Sequence, residues 1–219
     1  MNKVFYNDKE IENFDNALGY IITINGKNNK LYLNEFQGPG KIYIYIDGDN
    51  CNLKIGKNNI IKNDIGINFW DTATNRPFGS YISIGDNNFF NGTNNSIIAP
   101  LSTKIIIGDG NLFAGNIIFW GRNDHIIYDK NTKKRINIDY DIIIGNSNWI
   151  CQNVSFLPKG AIGNNSVVAY GSIVNKAITK NNVILAGSPI RIKKKHINWS
   201  RSSDYEQIDF ESNVNILKK

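Results

Sequence analysis

Apolar residues return at every sixth position between residues 144 and 179: Ile144, Ile150, Phe156, Ile162, Val168 and Val174. In most of these blocks the fifth position is also small or apolar, as at Val154, Gly160, Ser166, Ser172 and Ile178. The positions between are mainly Asn, Gly, Lys, Ser and Ala. A helix repeats its apolar face about every 3.6 residues and a strand about every 2, so a period of six is neither alone. It suits a short strand that points its first side chain inward, then a corner of residues that tolerate positive φ, as Gly and Asn do. Three such strands make a triangular coil. One coil cannot bury its own apolar face, so coils must stack.

The same block recurs upstream as Ile55-Gly56-Lys57-Asn58-Asn59-Ile60, Ile84-Gly85-Asp86-Asn87-Asn88-Phe89 and Ile107-Gly108-Asp109-Gly110-Asn111-Leu112. These spacings are not multiples of six, so loops must interrupt the coil. Residues 71–80, with Pro77 and Gly79 as turn signals, are one interruption and residues 121–140 the other. Gly40 to Ile55 alternates as strands around a turn. Val183 to Lys194 reads as a strand, a Gly-Ser-Pro turn and a basic strand. Residues 204–219 are polar with scattered apolar positions, a pattern for a short helix on the outside. The expected organisation is an N-terminal β region over 1–54, a coil over 55–190 with its loop at 121–140, and a tail over 191–219.

Composition narrows the partners. The chain has 219 residues, enough for one large domain, and 41% of them are hydrophobic, enough for a core. The net charge of +6 favours anionic partners, and the basic residues cluster at Lys133-Lys134-Arg135 and at Arg191 to Lys195. No nucleic-acid module accompanies them, so nucleic acid is not an expected partner. Cys51 and Cys151 cannot build a disulfide framework, and no Cys/His cluster suggests a metal. No apolar run is long enough for a transmembrane segment, and the N-terminus lacks the apolar stretch of a secretory signal, so the expected location is the cytoplasm.

The stretch IGNNSVVAYGSIV from Ile162, followed by VILAGSPIRIKK from Val183, resembles the hexapeptide-repeat acyltransferases. The resemblance is strong over residues 84–199. It implies an all-β fold, a left-handed parallel β-helix with an excursion loop and a short C-terminal appendage. It also implies a homotrimer with acetyl-CoA bound in the groove between subunits. Within that family, His125-Ile126-Ile127-Tyr128-Asp129, then Arg135-Ile136-Asn137, then Asp141 to Ile150 resemble a block of the sugar O-acetyltransferases. The ending His196-Ile197-Asn198-Trp199-Ser200-Arg201 is similar to that of capsule-modifying enzymes, the polysialic acid O-acetyltransferases among them. Cys151 departs from the Gly usual after the Trp-Ile pair, Asn123-Asp124 from the usual residues before the His, and Ser188 and Arg191 from an Asn and a Lys. The first two departures touch the expected site and bear on the acceptor more than on the reaction.

Acetyl transfer to a hydroxyl needs a base for the hydroxyl proton, a donor for the oxyanion and a departing thiolate. Histidine is the natural base near neutral pH, and the chain has two, His125 and His196. His125 lies in a polar, aromatic loop and matches the family's base; His196 lies in a basic stretch and reads as structural or interfacial. Asp124, Asp129, Asp139, Asp141 or a backbone carbonyl are all near enough in sequence to orient the ring. Trp149 matches the family's tryptophan, and its indole N–H is a donor, expected on a corner that faces the subunit groove. Cys151 has no cationic neighbour in sequence to activate it, so no covalent intermediate is expected.

The small residues Ala169, Gly171, Ser172, Ala186 and Gly187 would let pantetheine lie along the backbone. Lys176, Arg191, Lys193 and Lys194 would take the phosphates. Trp120, Arg122, Tyr128, Lys133 and Arg135 would form an aromatic and basic wall for a saccharide acceptor, an acidic sugar such as sialic acid suiting it. An N-acetyltransferase acting on an amino sugar-nucleotide is the alternative. A zinc carbonic anhydrase on the same coil needs three His, one more than the chain has. A purely structural β-helix would carry Thr rows and no His loop.

Overall fold

The structure, a computed structural model, describes residues 1–12, 18–70, 79–99, 103–123 and 125–204. Every element among them is a strand. The strands form three sheets of nine, eight and seven, hereafter the first, second and third faces of a prism. Within each face successive strands pair in parallel, with antiparallel pairs only at the two ends, Lys3–Tyr6 with Lys9–Ile11 and Val183–Ala186 with Arg191–Lys195. The left-handed parallel β-helix implied by the sequence is therefore the fold. Among the described residues no helix is long and apolar enough to cross a membrane.

Six-residue periodicity becomes vertical columns of inward side chains. Ile55, Ile84, Ile107, Ile144, Ile162 and Ile178 stack on the first face. Ile61, Phe90, Phe113, Ile150, Val168 and Leu185 stack on the second. Ile44, Ile67, Ile97, Phe119, Phe156 and Val174 stack on the third. All but the partly covered Ile178 are buried.

The corner from the first to the second face explains the Ile-Gly-x-Asn-Asn signature. Its fourth residue takes a left-handed φ, at Asn58, Asn87, Gly110, Ser147 and Asn165. Its fifth is buried and forms a ladder. The Asn59 carbonyl oxygen accepts the Asn88 N–H, Asn88 accepts that of Asn111, Asn111 that of Asn148, and Asn148 that of Ser166. Its third residue forms an outer ladder, in which Asp109 accepts the Asp86 N–H and Asn146 that of Asp109. The glycine makes room for that oxygen: a Cβ on Gly85 would sit 2.1 Å from Asp109 Oδ1.

The coil begins earlier than the residue-55 boundary read from the sequence. Lys3–Tyr6 already pairs with Lys30–Leu33, which pairs with Asn52–Ile55, so these strands continue the same stack. The third-face strands of these coils are six residues long, which hides the period. Both expected excursions leave from the corner between the third and first faces, after Trp70 and Trp120, with the chain returning at Tyr81 and Ile142. The helix expected within 204–219 falls almost wholly outside the described residues.

Candidate active site

After Ile118–Trp120 the chain leaves the third face, and the Arg122 guanidinium donates to the carbonyl of Trp70 two coils above. Asn123 then closes the neck of the excursion, its amide donating to Ile138 O at 3.2 Å and to the Asp139 carboxylate at 3.1 Å. Arg135 pairs with the same carboxylate at 3.2 Å. Between these points the loop is a small hairpin. Tyr128 bridges Arg135, and the Ile136 N–H donates to Ile127 O at 2.8 Å. Lys133 turns the tip with a φ of 59°. The Thr132 N–H and hydroxyl, with the Asn131 N–H, hold the Asp129 carboxyl below its ordinary pKa, burial opposing them weakly.

His125 is fixed through its backbone. The Asn137 amide donates to His125 O at 2.6 Å, while its oxygen accepts the Ile127 N–H at 2.8 Å. The ring is exposed. Of the aspartates read as orienting partners, Asp129 caps the hairpin turn, Asp139 holds Arg135 and Asn123, and Asp141 accepts the Lys104 N–H at 2.9 Å. Asp124 lies outside the described residues. None of these three described aspartates bonds the His125 ring. Trp120, Arg122, Tyr128, Lys133 and Arg135 all belong to this edge of the prism.

Trp149 lies elsewhere. It opens the strand Trp149–Ile150 on the second face and points outward from that strand, not from a corner. The second face is opposite the corner from which the His125 loop departs. Trp149 is also half covered by its own chain. The segment after the last strand climbs the second face, where the Trp199 indole N–H donates to Ser147 O at 2.8 Å. Its ring centroid stands 6.1 Å from that of Trp149. One coil higher, Arg201 donates to Gly110 O at 2.9 Å and lies over the Phe89 ring. Sequence reasoning gave this strap no role, although the residues from His196 to Arg201 carried part of the family resemblance.

The small residues form the corner between the second and third faces. Gly171 has a φ of 67°, and nothing lies within 4 Å of where its Cβ would be. The Ser172 hydroxyl is buried, donating to Ala169 O at 2.6 Å and accepting the Gly187 N–H at 3.2 Å, so it ties two coils together. Arg191, Lys193 and Lys194 are exposed along the last strand, at the outer edge of the second face. Lys176 sits on the corner below the His125 loop instead. Above it is Lys159, which the sequence reading passed over. It has a φ of 76°, and its ammonium lies 5.1 Å from the Tyr140 ring centroid. No group of His, Cys, Asp or Glu that could hold a metal occurs among the described residues.

No family model matches the chain. The galactoside O-acetyltransferase of Escherichia coli (strain K12) is 32% identical over 151 residues, covering 68% of this chain and 72% of that protein. The polysialic acid O-acetyltransferase of Escherichia coli O1:K1 / APEC is 33% identical over 156 residues, covering 71% of this chain but 47% of that longer protein. The crystal structure of the polySia specific acetyltransferase NeuO matches with a TM-score of 0.72 at 27% identity, covering 94% of this chain and 78% of that one.

Proposed function

The chain belongs to the hexapeptide-repeat O-acetyltransferases, and from that premise we propose that it transfers the acetyl group of acetyl-coenzyme A to a hydroxyl of a surface oligo- or polysaccharide. The observation that carries this reading is the clamped hairpin. Asn137 fixes the backbone at the His125 carbonyl and at Ile127 and leaves the His125 ring exposed, on an edge lined with Trp120, Arg122, Tyr128 and Arg135. Aromatic faces suit sugar rings, and the exposed Lys133 with the net charge of +6 favours a carboxylate, so the acceptor is an acidic saccharide, a sialic-acid-containing one fitting best. The relatives named for galactosides and polysialic acid support the saccharide class.

In this mechanism the His125 imidazole takes the hydroxyl proton as the oxygen attacks the thioester carbonyl. The carbon–sulfur bond then breaks, and the imidazolium returns the proton to the departing thiolate. The Trp149 indole N–H steadies the charge that develops at the thioester. Coenzyme A lies along the Ala169, Gly171 and Gly187 edge, with Arg191, Lys193 and Lys194 at its phosphates, while Lys176, on the corner below the His125 loop, reaches it only from a neighbouring protomer.

His125 and Trp149 sit on opposite sides of one prism, so the site is shared: the loop of one protomer meets the second face of its neighbour in a homotrimer. The reaction belongs in the cytoplasm, where the donor is available. The test is thiol release from acetyl-coenzyme A with sialylated, neutral and amino-sugar acceptors. Turnover on hydroxyl acceptors supports the reading, and turnover on amines alone overturns it. Co-expressed His125→Ala and Trp149→Ala chains should regain activity that neither has alone. A mixture as inactive as its parents would mean that each site is built within one chain.

A further inference from the structure

A groove of about 590 Å³ opens near the top of the prism, where the corner between the second and third faces meets the third face. It is walled by Tyr43, Lys62, Asn63, Thr93 and Asn94, with Gly66 in its floor. Tyr43, Gly66 and Ser96 lie in register on adjacent strands, all pointing outward. The glycine has no conformational reason to be there. It lies in a strand, outside the left-handed region, and a Cβ on it would meet nothing closer than Asn68 Nδ2 at 3.5 Å. Glycine weakens a strand, and where neither backbone nor packing demands it, it marks the close approach of a ligand or of another backbone. Its effect here is a slot beside the Tyr43 ring, which is 41% exposed.

The groove does not stop at the corner. Along the same face the outward positions include Tyr45, Asn68, Trp70, Ile118 and Trp120, three of them aromatic, with the Asp47 carboxylate in register beside Trp70 at the far edge. Trp120 is the residue from which the His125 loop departs. Tyr43 and Trp120 are three strand spacings apart, about 15 Å at roughly 4.8 Å per strand. One sugar ring held at His125 cannot reach that far, whereas a chain of three or four rings can. Rings would stack on the aromatic faces, their hydroxyls would bond Asn63, Thr93 and Asn94, and a carboxylate would meet Lys62. Asp64 does not oppose this directly, since its Oδ1 turns back to accept the Lys41 N–H at 2.9 Å.

We propose that the third face above the His125 loop is an acceptor platform that binds the unreacted length of an acidic oligosaccharide. The proposal rests on the saccharide-acetylating reading and deepens it: the acceptor is a chain and not a monosaccharide.

The probes are sialic acid oligomers of two and eight residues, tested on the intact protein and on Gly66→Val and Tyr43→Ala. Gly66→Val fills the slot without touching the core. Calorimetry without acetyl-coenzyme A should show the octamer binding at least about tenfold more tightly than the dimer, and Gly66→Val should remove about that factor. In turnover, Gly66→Val and Tyr43→Ala should raise KM for the octamer, leaving kcat and the dimer's KM within about twofold. Equal wild-type affinity for dimer and octamer overturns the platform, and so does an equal loss on both in the variants. Light scattering that shows the variants falling apart into smaller assemblies also overturns it, because the face is then an interface between copies. The two readings fail separately. Octamer binding with no acetyl transfer to any saccharide keeps the platform and sinks the reaction. Transfer with one KM for both lengths keeps the reaction and sinks the platform.

Discussion

The upper and lower halves of the prism differ in one dimension. In the lower coils the third-face strands Ser155–Phe156 and Ile173–Val174 are two residues long, and Ile143 pairs with Ala161, 18 residues on. In the upper coils Ile42–Asp47 and Ile65–Trp70 are six residues long, and Ile42 pairs with Ile65, 23 residues on. The first and second faces change far less. Most of the extra residues of an upper coil thus widen the third face, the first-face strands growing only from two residues at Ala161–Ile162 to four at Asn52–Ile55. The narrow half offers a thin edge of small side chains, fit for an extended arm such as pantetheine. The wide half offers outward Tyr43, Tyr45, Trp70 and Trp120, fit for rings. The hairpin with His125 leaves from the boundary between them.

That placement sets the largest expected effect. His125→Ala should lower turnover about 10²- to 10⁴-fold, the usual worth of a general base. The ring is exposed, so the thermal midpoint should hold, as for most surface changes. Full activity in this variant would detach the chemistry from the boundary altogether.

A second test asks whether the halves are one cooperative unit. The aromatic spine crosses the boundary: Phe90 stacks on Phe113 at 4.6 Å, Phe113 meets Phe119 edge-on at 5.8 Å, and Phe119 stacks on Phe156 at 4.9 Å. Phe119→Ala empties a fully buried site and should cost about 3–5 kcal/mol in denaturant unfolding. Neighbour coupling carries a solenoid's cooperativity, so a cut at the spine should also split one transition into two. One sharp transition in Phe119→Ala would show that backbone pairing alone joins the halves.

The lower half was legible because its coils keep the period, and Ile144 to Val174 fell where the pattern put them. The upper coils were read as separate because six-residue strands obey a period of two within the coil. The loop and its basic, aromatic residues were visible as a gap in the period. The opposition of His125 and Trp149 was not, because it depends on which face each strand joins. The strap of Trp199 and Arg201 also escaped, since its contacts are to residues 52 and 91 positions away. Asn111 shows the reverse case: the repeated Asn was seen as a turn former, whereas its side chain is buried and bonds the coils on either side.

The ladder gives a smaller effect on the same seam. Asn111→Ala would leave the buried Asn148 N–H without its acceptor, a loss of about 1–3 kcal/mol. Asn111→Asp, which keeps an acceptor oxygen, should recover part of it. Chemical denaturation of the two variants measures the difference, and equal losses would show that the amide's own donors, to Asn88 Oδ1 and Gly108 O, matter more.

Cys151 gives the smallest effect and the sharpest question about the narrow edge. It sits on the same corner as Ala169, one coil above it, its N–H donating to Val168 O at 3.0 Å. On the proposed reading the thioester passes along this edge, and a thiol beside it would invite a covalent acetyl-enzyme. Burial pushes this thiol above its ordinary pKa, and the Tyr170 N–H offsets that only in part. Near neutral pH it therefore holds less thiolate than a free cysteine, and thiolate is the nucleophile. Iodoacetamide should modify Cys151 more slowly than a free thiol, with the rate rising steadily as pH rises. Buried Cys51 should stay untouched. Cys151→Ser should leave kcat/KM within about twofold, because direct attack by the acceptor needs nothing from this side chain. A stoichiometric burst of coenzyme A before acceptor is added, lost in Cys151→Ser, would replace the single-step transfer with a two-step one and give the narrow edge a chemical role besides binding.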